Sequence, residues 1–304
     1  MKESIASKLR GVFAPIATPF TDSGDVALES LAVNLDRLGT SDLAGLVVLG
    51  SNGEACYLSA EEKIDLVSFV VAKNTWGKAI IAGTGVETTR DTVTLTQQVA
   101  DRGADAALVL PPHYYKSNMT NAVLRKHYEA VADASPIPII IYNMPGNTGI
   151  NLSSDTVIAL SAHPNIVGIK DSSGNLVQIG EIIAGAGPGF AVFAGSGSYL
   201  LPSLALGAAG ATAAVANVFP NECAAVQKHF EAGELDRARE LQLRLMEINR
   251  AVTTRWGVPG LKAAMDLVGY YGGPPRKPML PLGSEEREEL ARIIQRTGFV
   301  VPGR

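Results

Sequence analysis

The segment Ile166-Val-Gly-Ile-Lys170-Asp171-Ser-Ser-Gly-Asn175 closes a short apolar run on a lysine and then turns through small polar residues. A lysine placed there has two uses. It can bury its stem and keep its ammonium in water at a strand end, or it can point into a cavity as a nucleophilic amine that forms an imine with a carbonyl substrate. An ordinary lysine, with a pKa of about 10.4, is uncharged only about once in 2500 at pH 7, so the second use needs burial or a neighbouring charge. The ends of three other apolar runs bear on the choice. Gly50-Ser51-Asn52-Gly53-Glu54 sets two hydrogen-bonding side chains between glycines; such a turn can offer backbone N–H groups to a carboxylate or phosphate, or simply lead a strand into a helix. Pro111-Pro-His-Tyr114-Tyr115 carries a tyrosine pair suited to a cavity mouth or to rim packing. Tyr142 ends a run with no other polar side chain and leads into Asn143-Met-Pro145-Gly146-Asn147-Thr148-Gly149; it serves equally as a proton carrier facing a cavity or as a core aromatic with a satisfied hydroxyl.

These four run ends belong to a longer series. Short β-branched and apolar runs recur at 11–16, 45–49, 79–83, 106–110, 137–142, 166–170, 190–194 and 211–215. Continuous rather than alternating apolar character suits strands covered on both faces, as in a parallel sheet. Stretches of helical period lie between them, among them 28–38, 59–71, 88–100, 120–133 and 153–162, the second opening with Ser59 and Glu62 spaced as a capping box. Eight βα units predict an α/β fold, a (β/α)₈ TIM barrel. After Val218 only helical segments follow, at 221–231, 234–251, 260–267 and 284–295, so residues 1–220 are expected to form the barrel and 221–304 a C-terminal helical extension packed on it.

A chain of 304 residues with 46% apolar residues can form one well-buried barrel. Its net charge of −4 and the absence of long basic blocks argue against nucleic acid or an anionic membrane as partner. Residues 1–10 are too few and too polar for a signal peptide, and no apolar stretch reaches a membrane span unbroken; a soluble, cytoplasmic protein is expected. Cys56 and Cys223 have no metal-ligand spacing and are expected reduced in the interior, and the four histidines form no helical pair. No metal site is expected.

Chemistry in such a barrel sits at the C-terminal ends of the strands, so Ser51 with Asn52, Tyr115, Tyr142 and Lys170 would share one mouth. Together they describe an imine-forming site with an anion cradle and a tyrosine proton shuttle. The segments Gly50-Ser-Asn-Gly-Glu54, Tyr142-Asn-x-Pro-x-x-Thr-Gly149 and Gly168-Ile-Lys-Asp-Ser-Ser-Gly174 resemble those of the dihydrodipicolinate synthase and N-acetylneuraminate lyase superfamily of Schiff-base pyruvate lyases, and the resemblance extends over nearly the whole chain. It implies that Lys170 forms an imine with the keto carbon of pyruvate, so that no separate cofactor is needed, and that Tyr142 moves protons at the aldehyde oxygen with Ser51 hydrogen-bonded to it. It also implies that Tyr115 reaches in from a neighbouring subunit of a homodimer or homotetramer, and that the Ser51 and Asn52 amides bind the pyruvate carboxylate. Gly53, Asn147 and Thr212 complete the expected substrate contacts.

Lysine-biosynthesis members of that superfamily usually carry Arg where this chain has Asn147, and a neutral amide cannot replace a bidentate guanidinium. Pro145-x-Asn-Thr-Gly149, Trp256-Gly-Val-Pro-Gly-Leu-Lys262 and Gly269-Tyr-Tyr-Gly-Gly273 look most like 4-hydroxy-2-oxoglutarate aldolase. The expected activity is therefore cleavage of 4-hydroxy-2-oxoglutarate to pyruvate and glyoxylate. The alternatives, in order, are a 4-hydroxy-tetrahydrodipicolinate synthase condensing pyruvate with aspartate semialdehyde and a 2-keto-3-deoxy sugar-acid aldolase. Outside the lyases stand a phosphate-handling isomerase, suggested by the turn Gly195-Ser-Gly-Ser198, and a non-catalytic keto-acid-binding barrel.

Overall fold

Eight parallel strands pair in chain order and close on themselves, the first beside the eighth. The computed structural model describes residues 8–300; residues 1–7, most of the segment read as too short for a leader, and residues 301–304 lie outside the described residues. The strands are β1 Gly11–Pro15, β2 Gly45–Val48, β3 Ala79–Gly83, β4 Ala106–Val109, β5 Ile139–Asn143, β6 Ile166–Asp171, β7 Ala191–Ala194 and β8 Gly210–Thr212. Around them run α1 Leu28–Gly39, α2 Ala60–Lys73, α3 Thr89–Asp101, α4 Asn121–Ala134, α5 Ser154–Ser161, α6 Leu176–Gly185, α7 Leu200–Leu206 and α8 Pro220–Glu231. The architecture is the expected (β/α)₈ barrel, followed by three further helices, α9 Leu235–Arg250, α10 Gly257–Leu267 and α11 Ser284–Thr297. Helix α8 packs against β1 and α7, so it covers the barrel as the eighth of its helices. Among the described residues no helix is long and apolar enough to cross a membrane.

The strands are continuously apolar because alternate residues fill two different cores. Val47, Ile81, Leu108 and Ile140 meet inside the barrel with Phe13 and Phe193, whereas Leu46, Ile80, Ala107 and Ile141 pack outward beneath the helices. Both faces are dry along most of each strand, so the polar side chains of β5 and β6 gather at their C-terminal ends. Side-chain caps start the helices: Ser59 and Glu62 form the expected capping box, and Thr88, Thr120, Ser153 and Asn175 each accept a backbone N–H of the first turn.

Several boundaries differ from the sequence reading for identifiable reasons. Strand β5 starts at Ile139 because Pro138 has no N–H for the ladder. Strand β8 stops at Thr212, and 214–217 form a 3₁₀ turn whose Asn217 bonds the Pro15 carbonyl and the Ala17 amide beyond β1. Helix α10 begins at Gly257 rather than 260, since Pro259 falls in its first turn, where no N–H is required. Cys56 is exposed, contrary to expectation, because the turn Ala55–Tyr57 packs Ala55 inward and turns Cys56 out; Cys223 is buried, and both are free thiols.

Buried His127 on α4 makes the fold acid-sensitive. Its Nδ1 lies 2.9 Å from the Thr89 hydroxyl, and burial pushes its imidazole down to about 4. The unfolded chain therefore takes up this proton first, and the folded state loses stability as pH falls from about 6.5 to about 4, by a total of about 3 kcal/mol. Melting temperatures measured across that range should fall more steeply for wild type than for His127→Gln. Parallel curves would contradict the assignment.

Candidate active site

Strand β6 carries Lys170, and a bulge decides where it points. Ile139 of β5 pairs with Ile166, but Ile140 pairs with Gly168, leaving Val167 as an extra residue. Val167 already faces the barrel interior, so strict alternation would send Ile169 inward and Lys170 outward. The bulge shifts the parity by one: Ile169 packs outside, and Lys170 stands level with inward-facing Tyr142. Glycine is required at 168 because a Cβ there would come 2.4 Å from the Ala191 carbonyl oxygen.

Lys170 is only 4% exposed and makes no ion pair among the described residues, so it does not snorkel to water. Its Nζ lies 4.0 Å from the centre of the Tyr142 ring. The Tyr142 hydroxyl is 3.3 Å from the Ser51 hydroxyl. Burial pushes the Tyr142 phenol up, but the Lys170 ammonium together with hydrogen bonds from Ser51, Lys170 and Ser172 outweighs it and holds the phenol below its ordinary value. Lowering the cost of the phenolate suits Tyr142 to passing a proton back and forth. The neighbouring Asp171 has a different task. Fully buried, its carboxylate accepts from Asn143 Nδ2 at 2.9 Å, Gln178 Nε2 at 2.8 Å, Ser173 N at 2.8 Å and the Ser173 hydroxyl, which pins the loop after Lys170.

The turn after β2 is held in an unusual backbone. Leu49 and Glu54 both have positive φ, 60° and 54°, and bracket the 3₁₀ turn Ser51–Gly53. Non-glycine residues stay in that region only when their surroundings enforce it. Here buried Glu54 is locked by Lys262 of α10 at 2.6 Å and by the Arg276 amide at 2.8 Å, while the Thr18 hydroxyl donates to the Gly53 carbonyl at 2.7 Å. The Gly53 amide is used internally, donating to Gly50 O at 3.0 Å, and Gly53 is absent from the cavity wall. The Ser51 and Asn52 amides have no acceptor among the described residues, and both residues line the cavity. They form the anion cradle.

The cavity measures about 1000 Å³, and Ser51, Asn52, Tyr142, Asn147, Lys170 and Thr212 all lie on its wall. Asn147 comes from a single helical turn, Pro145–Thr148, that β5 delivers to the rim. Tyr115 does not reach the cavity: it is 68% exposed and stacked edge-on against Tyr114, ring centres 5.0 Å apart. The cavity wall also includes Ser196 and Ser198 after β7, and Glu247, Arg250, Thr253 and Thr254 from beyond the barrel. Motif reading misses these last four because helical period marks which face of α9 is buried, not what its end overlooks. Past Arg250 the chain widens into a π-turn, Ala251–Arg255, a local irregularity common at functional sites.

The model of the dihydrodipicolinate synthetase family matches residues 8–297. A probable 4-hydroxy-2-oxoglutarate aldolase, mitochondrial, of Emericella nidulans is 39% identical over 285 residues, covering 92% of each chain. The 4-hydroxy-tetrahydrodipicolinate synthase of Methanothrix thermoacetophila is 38% identical over 286 residues, covering 94% of this chain and 96% of its own. Among solved structures, the dihydrodipicolinate synthase of Acinetobacter baumannii complexed with pyruvate superposes with a TM-score of 0.90 at 32% identity, over 96% of this chain and all of that one.

Proposed function

The chain belongs to the dihydrodipicolinate synthetase family, and we propose that it is a class I aldolase cleaving 4-hydroxy-2-oxoglutarate to pyruvate and glyoxylate through an imine on Lys170. The observation that carries this reading is the buried Lys170 ammonium set 4.0 Å over the Tyr142 ring in a cavity that also holds free backbone amides at Ser51 and Asn52. The substrate's first carboxylate sits on those amides. The Lys170 amine adds to the keto carbon and loses water, giving a protonated imine that can accept an electron pair. Tyr142 takes the proton of the C4 hydroxyl, the C3–C4 bond breaks, glyoxylate leaves, and the electron pair moves into an enamine. Protonation at C3 and return of water release pyruvate and free the lysine. Ser51 relays the Tyr142 proton, and the carbon chemistry uses no cofactor beyond the imine itself.

In the proposed assembly, a homodimer or homotetramer in the cytoplasm, exposed Tyr115 completes the site of a partner subunit. Its stacked, solvent-facing pair with Tyr114 suits that use. The relative from Methanothrix keeps the 4-hydroxy-tetrahydrodipicolinate synthase reading as the rival. A panel of keto acids scored by pyruvate release separates the two, with a 2-keto-3-deoxy sugar acid as a third arm.

Asn147 is expected to decide between carboxylated partners. Wild type should cleave 4-hydroxy-2-oxoglutarate with a higher kcat/KM than it condenses pyruvate with aspartate semialdehyde. Asn147→Arg should shift that ratio toward the semialdehyde by about 1 to 3 kcal/mol, the order of one charge-assisted hydrogen bond. Efficient wild-type condensation without 4-hydroxy-2-oxoglutarate cleavage would promote the rival activity and leave the imine chemistry in place.

A further inference from the structure

The proposed substrate carries a second carboxylate, and neutral Asn147 brings it no charge. The same cavity holds a better candidate. Asn249, fully buried near the end of α9, donates both protons of its Nδ2, one to the Ser196 hydroxyl at 2.9 Å and one to the Ser198 hydroxyl at 2.7 Å. The Ser198 amide also donates to the Ser196 hydroxyl, at 3.3 Å. Each hydroxyl oxygen is thus already an acceptor, and among the described residues neither hydroxyl proton has an acceptor of its own. Both serines line the cavity, so the spare protons are available there. Two donors side by side suit an anion.

Charge comes from the next residue. Arg250, the last residue of α9, lines the same cavity and makes no ion pair among the described residues. The nearby wall carboxylate, Glu247, is committed elsewhere, gripped by Arg296 through Nε at 3.1 Å and a terminal nitrogen at 2.5 Å. Glu247 still feels the charge of Arg250, but its oxygens are held by Arg296, so no carboxylate among the described residues is ion-paired to the Arg250 guanidinium.

We propose that the last turn of α9 builds the subsite for the second carboxylate: Asn249 is a positioning residue that turns the Ser196 and Ser198 hydroxyls outward as donors, and Arg250 selects carboxylated aldehydes over neutral ones. This rests on the aldolase reading and goes further by assigning the aldehyde class to named residues outside the catalytic group. The buried Oδ1 of Asn249, left without a hydrogen-bond partner beside Gly197, belongs to the same device. With only the amide nitrogen turned to the serines, their protons are released to the cavity. An acidic side chain at 249 would accept those protons instead and reverse the polarity of the pair.

The test runs the reaction in the direction of condensation with the full chain at saturating pyruvate, comparing kcat/KM for glyoxylate and for glycolaldehyde, its neutral two-carbon counterpart. Wild type should favour glyoxylate. Arg250→Ala should cut that preference by about tenfold or more, mainly through the KM for glyoxylate, with Arg250→Lys recovering part of it. Asn249→Asp should lower the preference at least as much. Because Asn249 is buried and its variants can fail to fold, the exposed Arg250 pair decides if they do. A preference unchanged within about threefold in Arg250→Ala, or retained in a folded Asn249→Asp, overturns the proposal. If wild type forms a borohydride-reducible adduct with pyruvate but shows no preference for glyoxylate, the subsite is wrong and the imine reading stands. If no adduct forms with pyruvate, both fall together.

Discussion

Lys170→Ala is expected to lower turnover of 4-hydroxy-2-oxoglutarate by more than about 10⁴-fold while the protein stays folded. An alanine has no amine with which to form the imine, and effects of that size are usual when a covalent nucleophile is removed. Fold should survive because Lys170 has no ion-pair partner among the described residues to be left uncompensated, and its side chain opens onto a cavity rather than a packed core. Steady-state kinetics together with a thermal melt check both halves. A variant retaining more than a few per cent of activity with an unchanged melt would remove Lys170 from the chemistry.

Tyr142→Phe should lower turnover by about 10² to 10⁴, the worth of a positioned acid–base group. The substitution keeps the ring beneath the Lys170 ammonium and deletes only the hydroxyl, which lies 3.3 Å from the Ser51 hydroxyl. Pyruvate should still form its imine, so the loss should fall on carbon–carbon cleavage. Ser51→Ala should lose less, since water can stand in for a relay. Because Lys170 and the hydrogen bonds around Tyr142 hold its phenol below the ordinary value near 10, and cleavage needs the phenolate to take the C4 hydroxyl proton, wild-type cleavage should rise with pH through a limb lying below that value, and the rise should disappear in Tyr142→Phe. Retention of more than about a third of wild-type turnover under chemistry-limited conditions would end the shuttle role.

The barrel is legible in the sequence because both faces of each strand are buried, which makes every strand an unbroken apolar run, and Ser59 and Glu62 announce the start of α2 in the same way. Lys170, Tyr142 and the Ser51–Asn52 turn are legible for a related reason: at the end of a dry run, a polar side chain stands out. What sequence leaves open is direction and company. Alternation along β6 from Val167 would turn Lys170 outward, and only the bulge paired against Ile139 and Ile140 brings it inside. The commitment of the Gly53 amide to Gly50 emerges from the turn's backbone, because a glycine-rich segment advertises free amides without saying which are used. Arg250, Glu247 and Asn249 come from a helix outside the barrel, nearly eighty residues past Lys170 in the chain, and no local pattern ties them to the site. The helices α6 and α7 are hard to read because they are short and largely apolar, with Gly180 in one and Pro202 in the other.

The imine on Lys170 is tested most directly by reducing the wild-type protein with borohydride in the presence of pyruvate and reading its intact mass and peptide map. A single reduced three-carbon adduct on the peptide containing Lys170, with loss of activity and no adduct in Lys170→Ala, is the expected result. No adduct on the wild-type protein, or an equal adduct on Lys170→Ala, would contradict it.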